Sequence, residues 1–486
     1  MEPVPPHCMK FEAVIGLEVH VQLKTRTKMF TRVPYCYGAP PNTLTDEIVL
    51  GLPGTLPTLN KAAILKTIQM GLLFGSRIPP YSRWDRKNYF YPDLPKNYQI
   101  SQYENPLCEG GTVEIELPGP ARNIQGLHQH IRLNRIHLEE DVGKLIHVDE
   151  VSQIDFNRAG TPLVEIVSEP DLHTGEEVFA YLKSLITHLQ YLEASDCDME
   201  KGQLRCDANV SVRPVGEQRL GTKVELKNLN SVSGVCNGVA HEIERQIRVL
   251  EGGQNVLQES RRWDAEKGIS VSMRSKEEAH DYRYFPDPDL KPIRISEELK
   301  NSLREHLPEP PFTKQERYQR EYGLPYTVTS VLCPDVHLAK FFEAAVSHYG
   351  KNPQAIANWI ANDLVRERGE PWERLKITPV HVAELVRLTD DGVISKQSAK
   401  TVFTETFKTG QPPEILVDRL GLRMVHDSAH LESTCREVIR DFPRPAAEFR
   451  SGKEKALHVL KGQVIKRTQG RIDPATIDDL LRRLLS

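Results

Sequence analysis

The chain has 486 residues, with 63 Lys+Arg against 67 Asp+Glu and a formal charge of −4. At roughly 100–200 residues per domain this length predicts two to four domains, and the near balance of charge excludes a global field that selects a polyanion, leaving any RNA contact to a local basic patch. The longest stretch without Asp, Glu, Lys or Arg is Asn228–His241, fourteen residues rich in Asn and Ser, well short of the ~18 apolar residues a membrane span needs.

Met1–Lys10 holds three prolines and no apolar core, so it is not read as a secretory signal. Ile15–Lys24 alternates cleanly: Ile15, Leu17, Val19, Val21 and Leu23 on one side, Glu18, His20 and Gln22 on the other, the period of a strand with one packed face. Asp85–Ser101 places Arg86, Lys87 and Lys96 among three tyrosines, either a rigid polar passage or an ordinary Pro/Tyr loop. His137-Leu138-Glu139-Glu140-Asp141 sets three carboxylates in succession. Glu165 follows inside Pro162-Leu163-Val164-Glu165-Ile166-Val167, where a carboxylate has to be paired, protonated or metal-bound because burying it alone is too costly. Arg205–Val212 and Lys223–Lys227 alternate again, with Arg205, Asp207, Asn209 and Ser211 on the polar side of the first.

For any single strand, a polar face meeting water is the ordinary reading. The residue types argue otherwise when taken together. If these strands share a sheet, Glu18, His20, Glu139, Glu140, Glu165 and Asp207 converge on one face, and an oxygen-rich set with one imidazole suits Mg²⁺ or Mn²⁺ better than zinc. Mg²⁺ in turn suggests a phosphorylated substrate such as ATP. Taken alone, His20 is a surface histidine, and only the constellation makes it a candidate ligand. His137 and His147 are read as plain hydrogen-bonding histidines.

Beyond about residue 295 the period changes to that of helices. Leu338–His348, Pro353–Arg368, Pro379–Leu388 and Ser395–Phe407 space apolar residues by three or four, with Gly369, Gly392 and Gly410 where helices stop. Leu307–Pro311 is the linker into this half. A last helical unit begins near Gln411 and ends in Ile477–Leu485. Arg440–Ser486 carries eleven Lys/Arg and six Asp/Glu, whereas Ile136–Asp171 carries nine Asp/Glu and two Lys/Arg. The expected domains are therefore 1–297, 298–410 and 411–486. The basic tail is equally a solvated face or an RNA contact.

No Walker A loop is present: Gly216-x4-Gly221-Thr222-Lys223 lacks Lys directly after the second Gly. G-x-G-x-x-G, H-E-x-x-H, G-x-S-x-G and a Ser-rich amidase loop are absent as well. Ser272–Lys276 is too short a match to a nucleotide loop to carry weight. Eight scattered cysteines, none in a C-x-x-C pair, read as reduced thiols of a cytoplasmic protein.

Several segments together are specific. Ile15–Lys24, Asp85–Asp93, Tyr98–Ser101, Leu138–Lys144, Asp155–Asp171, Leu204–Ser211, Gly221–Ser231 and Asp281–Asp287 resemble, in order, the GatB family, the B subunits of aspartyl/glutamyl-tRNA amidotransferases. The likeness continues more loosely through Gly452–Ala456 and Gly462–Lys466. The resemblance implies an α+β fold: an antiparallel-sheet catalytic cradle similar to glutamine synthetase and the guanidino kinases, then an all-α helical domain and a small helical tail. It implies a ligase that uses ATP and Mg²⁺ to phosphorylate the side-chain carboxylate of Glu-tRNA(Gln) or Asp-tRNA(Asn). Ammonia channelled from the A subunit, an amidase, then amidates it, and a small C subunit holds the two larger ones together in a heterotrimer.

Carried onto this chain, Glu18, His20, Glu139, Glu140 and Glu165 match the family's metal and nucleotide site, with Asp207 as an addition. Glu140 and Glu165 are the expected catalytic carboxylates, and Glu140 stands at the channel exit. Lys87 and Lys96 match polar residues of the ammonia channel and, with Arg205, are assigned to phosphate binding. The basic tail is expected to touch tRNA backbone. Cys36 lacks the paired cysteines of some relatives, so no zinc is expected. The competing reading is a non-catalytic tRNA-binding scaffold of such a complex. Whether tRNA(Gln), tRNA(Asn) or both is the substrate is not written in the sequence.

Overall fold

The computed structural model describes residues 11–275, 281–369, 371–424, 428–468, 472 and 474–485. The readings of Met1–Lys10, of Cys8 within it and of Lys276 fall outside the described residues. The chain divides into two compact units, Met1–Thr313 and Lys314–Ser486.

The first unit is built on a nine-stranded sheet. Its order runs Ile269–Ser275, Glu259–Asp264, Val224–Leu229, Leu204–Pro214, Phe11–Gln22, Pro162–Ser168, His128–Glu140 and Cys108–Glu109, with Thr112–Glu116 also paired to His128–Glu140. Neighbouring strands are antiparallel except Val224–Leu229 and Glu259–Asp264, which run parallel and are joined by the helix Val232–Glu251. A parallel pair needs such a crossover, since a tight hairpin reverses direction.

The alternation read in the sequence sets the two faces. Ile15, Leu17, Val19 and Val21 are at most 1% exposed and pack with Ile136, Leu138, Val164, Ile166, Ala208 and Val210. Among the described residues, three helices place buried side chains in this cluster, the first being Lys61–Leu73 through Ala63, Ile64, Ile68 and Met70. Gly175–Tyr191 begins on a capping box between Thr174 and Glu177, and its Val178, Tyr181, Leu182, Leu185 and Leu189 recur at helical spacing toward the core. Val232–Glu251 adds Val235 and Val239. A three-stranded sheet of Asp85–Asn88, Tyr98–Ser101 and Phe285–Pro286 bonds to the polar side of the large sheet, where the Ser101 hydroxyl donates to Glu139 Oε2 at 2.9 Å.

The second unit is helical and carries two separate apolar clusters, one from Tyr318 to Val417 and one from Leu431 to Leu485. The expected helices appear as Val336–His348, Pro379–Asp390, Lys396–Thr409 and Pro474–Leu485. The Pro353 stretch is helical to Glu367 but passes through a π-helical segment at Trp359–Leu364. The helix Pro413–Arg419, placed in the tail by its sequence, contributes Leu416 and Val417 to the first cluster. No helix among the described residues is long and apolar enough to cross a membrane.

Gly410 ends its helix with φ +75°, a conformation where a Cβ crowds the carbonyl. Gly410→Ala is expected to destabilise this unit by about 1–2 kcal/mol, seen as a lower urea midpoint with an unchanged slope. An unchanged midpoint would show that the turn relaxes at no cost.

Candidate metal and nucleotide site

Strand register assembles the site. His20 lies directly opposite Glu165 on one side and Arg205 on the other, and Glu165 lies opposite His137. Directly paired residues present their side chains on the same face, so Arg205, His20, Glu165 and His137 form one row across four strands. Glu139 is two residues beyond His137 and shares its face. Glu18 pairs with Asp207 one pleat away.

The row closes into contacts. Glu165 Oε2 is 3.4 Å from His20 Nε2 and 3.2 Å from His137 Nε2, while His137 Nε2 is 3.8 Å from Glu139 Oε2. His20, Glu139 and Glu165 each offer a ligand atom, all within 4.8 Å of one another. One imidazole nitrogen and two carboxylate oxygens are a donor set for Mg²⁺ or Mn²⁺. The two carboxylates raise each other's cost of ionisation, which a cation between them relieves. The residues present fit such an ion.

Burial works against charge on every member, and the partners overcome it. His20 is held above its ordinary value by Glu165 and then Glu139, despite burial. His137, also buried, is pushed up to about 9 by Glu165 and Glu139. Glu165 lies well below the usual carboxylate range because the attraction of His137 and His20 outweighs its desolvation. Glu139 is likewise lowered, with His137 and Lys87 overcoming both burial and the charge of Glu165. Lys87, desolvated on the small sheet, keeps a raised value through Glu139, Tyr284 and Glu165. Its ammonium sits 4.8 Å from the centre of the Tyr282 ring.

Other residues singled out in the sequence have other partners. Glu140 is one residue past Glu139, so the pleat sends it the opposite way. It is ion-paired with Lys96 and accepts from the Ile100 N–H at 3.0 Å. Lys96 also lies 5.7 Å from the centre of the Tyr98 ring. Asp207 pairs with Lys227 at 2.9 Å. Glu18 accepts from the Asn209 side chain at 2.9 Å. Arg205 donates to buried Asp141 at 2.8 Å, a charge that raises its own value against burial. The structure thus gathers His20, Glu139 and Glu165, places Lys87 and Arg205 around them, and ties Glu140 to Lys96 and Asp207 to Lys227.

His137 was readable as a member. It precedes Glu139 by two, and the same period-2 rule that grouped Glu18 with His20 groups this pair. His147 differs: it is exposed and bonded to Ser152 at 2.8 Å, as a plain histidine is.

Comparison with known proteins adds the following. The family model for the GatB/GatE catalytic domain matches residues 13–301, and that for the GatB domain matches residues 340–485. The B subunit of the aspartyl/glutamyl-tRNA(Asn/Gln) amidotransferase of Opitutus terrae is 57% identical over 483 residues, spanning 98% of this chain and 100% of that protein. The protein of the same name from Caldanaerobacter subterraneus is 49% identical over 482 residues, and that from Thermodesulfovibrio yellowstonii 46% over 481, each spanning 98% of this chain and 100% of the relative.

Proposed function

Because the chain belongs to the GatB family, matched along nearly its whole length, we propose that the cluster of His20, Glu139 and Glu165 is the centre at which its tRNA-linked substrate is activated. The protein is the B subunit of a tRNA-dependent amidotransferase, a ligase of protein biosynthesis that converts Glu-tRNA(Gln) or Asp-tRNA(Asn) to Gln-tRNA(Gln) or Asn-tRNA(Asn). The observation that carries the site assignment is the single imidazole and two carboxylates on adjacent strands.

The chemistry runs in two steps. The side-chain carboxylate attacks the γ-phosphorus of ATP, forming an acyl phosphate and releasing ADP. Ammonia then attacks the acyl carbon, and inorganic phosphate leaves. His20, Glu139 and Glu165, with Glu18 and Asp207 one pleat away, would hold a divalent ion, whose positive charge would offset the repulsion between carboxylate and γ-phosphate. Lys87 and Arg205 flank the same face and orient phosphate oxygens. Lys96 and Glu140 form the polar end of the ammonia path, where the Glu140 carboxylate takes a proton from ammonium before ammonia enters the site.

The sheet is assigned the glutamine-synthetase and guanidino-kinase type of cradle that the family resemblance implies, and an acyl phosphate is the intermediate that glutamine synthetase forms as well. In this reading 1–297 is the catalytic part, 298–410 the helical part and 411–486 the tRNA-binding tail. The chain works in the cytoplasm with two partners, the amidase that forms the A subunit and the small C subunit. Free thiols at all seven described cysteines suit that compartment.

The test is a reconstituted reaction with the partner subunits, glutamine, ATP, Mg²⁺ and Glu-tRNA(Gln) or Asp-tRNA(Asn). The expected result is amidated tRNA with one ADP formed per product. Amidation without ADP formation would overturn the activation role.

In the tail, Arg467 pairs with Asp441 at 2.8 Å and Arg482 with Glu454 at 2.9 Å. Lys453, Lys455 and Lys466 are exposed and have no ion-pair partner among the described residues. The triple variant Lys453→Ala, Lys455→Ala, Lys466→Ala is expected to lower the slope of log K against log salt for tRNA binding by about two to three. An unchanged slope would place the tRNA contact elsewhere.

A further inference from the structure

We propose that His137 is a positioning residue of the metal site: its Nε2–H holds the Glu165 and Glu139 carboxylates in the orientation that receives the divalent ion, without binding that ion itself. The inference rests on the metal reading above and goes beyond it, because His137 is outside the proposed ligand set.

Three observations carry it. First, His137 Nε2 reaches both carboxylates, at 3.2 Å from Glu165 Oε2 and 3.8 Å from Glu139 Oε2. Second, the ring is 3% exposed whereas the His20 side chain is 22% exposed. His20 therefore stands on the more open flank of Glu165 and His137 on the more buried one. Third, buried Nδ1 has no hydrogen-bond partner among the described residues. The polar contacts of this ring are made through Nε2, and burying an imidazole with one nitrogen unmet is a cost that an apolar residue at this core-like position would avoid.

The same oxygen of Glu165 is held from both flanks by two rings on adjacent strands, 3.4 Å from His20 and 3.2 Å from His137. Strand pairing fixes both rings relative to the carboxylate, so the position of Glu165 is set before any ion arrives. With His20 taken as a ligand, His137 would stay beside Glu165 Oε2 at 3.2 Å and near Glu139 Oε2 at 3.8 Å, offsetting the mutual repulsion of the two carboxylates. Outer partners of this kind are commonly worth about 10–100-fold in metal affinity.

The experiment titrates Mn²⁺ into the full-length chain assembled with its partner subunits, reading free Mn²⁺ by electron paramagnetic resonance. Wild type is expected to bind, and failure of wild type to bind would overturn the metal reading itself. His137→Leu is expected to raise the Mn²⁺ dissociation constant about 10–100-fold, while kcat at saturating metal recovers most of its value. His137→Gln, whose amide nitrogen replaces Nε2, is expected to stay within a few-fold of wild type. His137→Asn, whose amide falls near Nδ1, is expected to behave as His137→Leu. If His137→Leu does not fold, the Gln and Asn pair decides. Wild-type Mn²⁺ affinity in His137→Leu, or equal affinity in the Gln and Asn variants, would overturn the inference.

Discussion

Glu165→Gln lowers ATP-dependent amidation by about 10²–10³-fold, about 3–4 kcal/mol of transition-state stabilisation, while tRNA binding changes little. The amide keeps the volume of the carboxylate and one acceptor oxygen, so the strand Pro162–Ser168 has no reason to rearrange. What is lost is one negative charge between His20 and His137, both of which approach the same oxygen. With that charge gone the cation site keeps one of its two carboxylates, and the amide nitrogen presents hydrogens to rings that were hydrogen-bond donors. The measurement is ADP formation and product tRNA in the reconstituted complex, beside filter binding of the tRNA. Near-normal turnover would return the protein to the role of a tRNA-binding scaffold, because a chain whose chemistry lies on a partner has no use for this carboxylate.

Glu242→Ala destabilises the first unit by about 3 kcal/mol, the lower part of the range for breaking a buried pair. Glu242 is fully buried on the helix Val232–Glu251 and accepts from Arg245 at 2.7 and 2.9 Å, from Gln246 at 2.9 Å and from Ser270 at 3.2 Å. Arg261 approaches to 3.8 Å from the neighbouring strand. Removing the carboxylate strips Arg245 of its bidentate partner and takes an acceptor from Gln246 and Ser270, while Arg261 keeps Glu259 at 2.6 Å, a carboxylate that Arg245 approaches only to 4.0 Å. The side chain of Arg245 is 23% exposed and reaches water, which holds the loss to the lower figure. Urea unfolding followed by tryptophan fluorescence measures it, and amide exchange should rise first in Glu259–Asp264 and Ile269–Ser275. A loss below about 1 kcal/mol, the size of an ordinary surface change, would show that water replaces the carboxylate.

The strands and their polar faces were legible because period-2 alternation is a local property, and Ile15–Lys24 displays it without help from its neighbours. The helical half was legible for the same reason with a longer period. Register was not legible. Nothing local states that His20 stands opposite Glu165, since that pairing joins residues across a long stretch of chain and is decided by packing of the whole sheet. The partners of Glu140 and Asp207 belong to the same category: Lys96 and Lys227 reach them only after two other strands are placed. His137 reads as a plain hydrogen-bonding histidine when it is weighed singly, and its register with Glu165 makes it a member of the cluster. The π-helical segment Trp359–Leu364 also left no trace in the pattern, because one added residue per turn hardly disturbs a spacing of three or four.

The place of Phe11–Gln22 at the middle of the sheet has a consequence for how the molecule is made. Its two neighbours, Pro162–Ser168 and Leu204–Pro214, leave the ribosome about 140 and 180 residues later. At ~5–20 residues per second the second neighbour trails the first strand by roughly 10–40 s. Until Pro162–Ser168 emerges an apolar segment waits with both edges open, and one edge stays open until Leu204–Pro214 follows, the condition that invites pairing with another chain. Nascent chains stalled before residue 204 should therefore engage chaperones or aggregate, and release from them should coincide with emergence of the Leu204–Pro214 strand. Ribosome-bound chains of graded length, probed by limited proteolysis, would reveal that threshold.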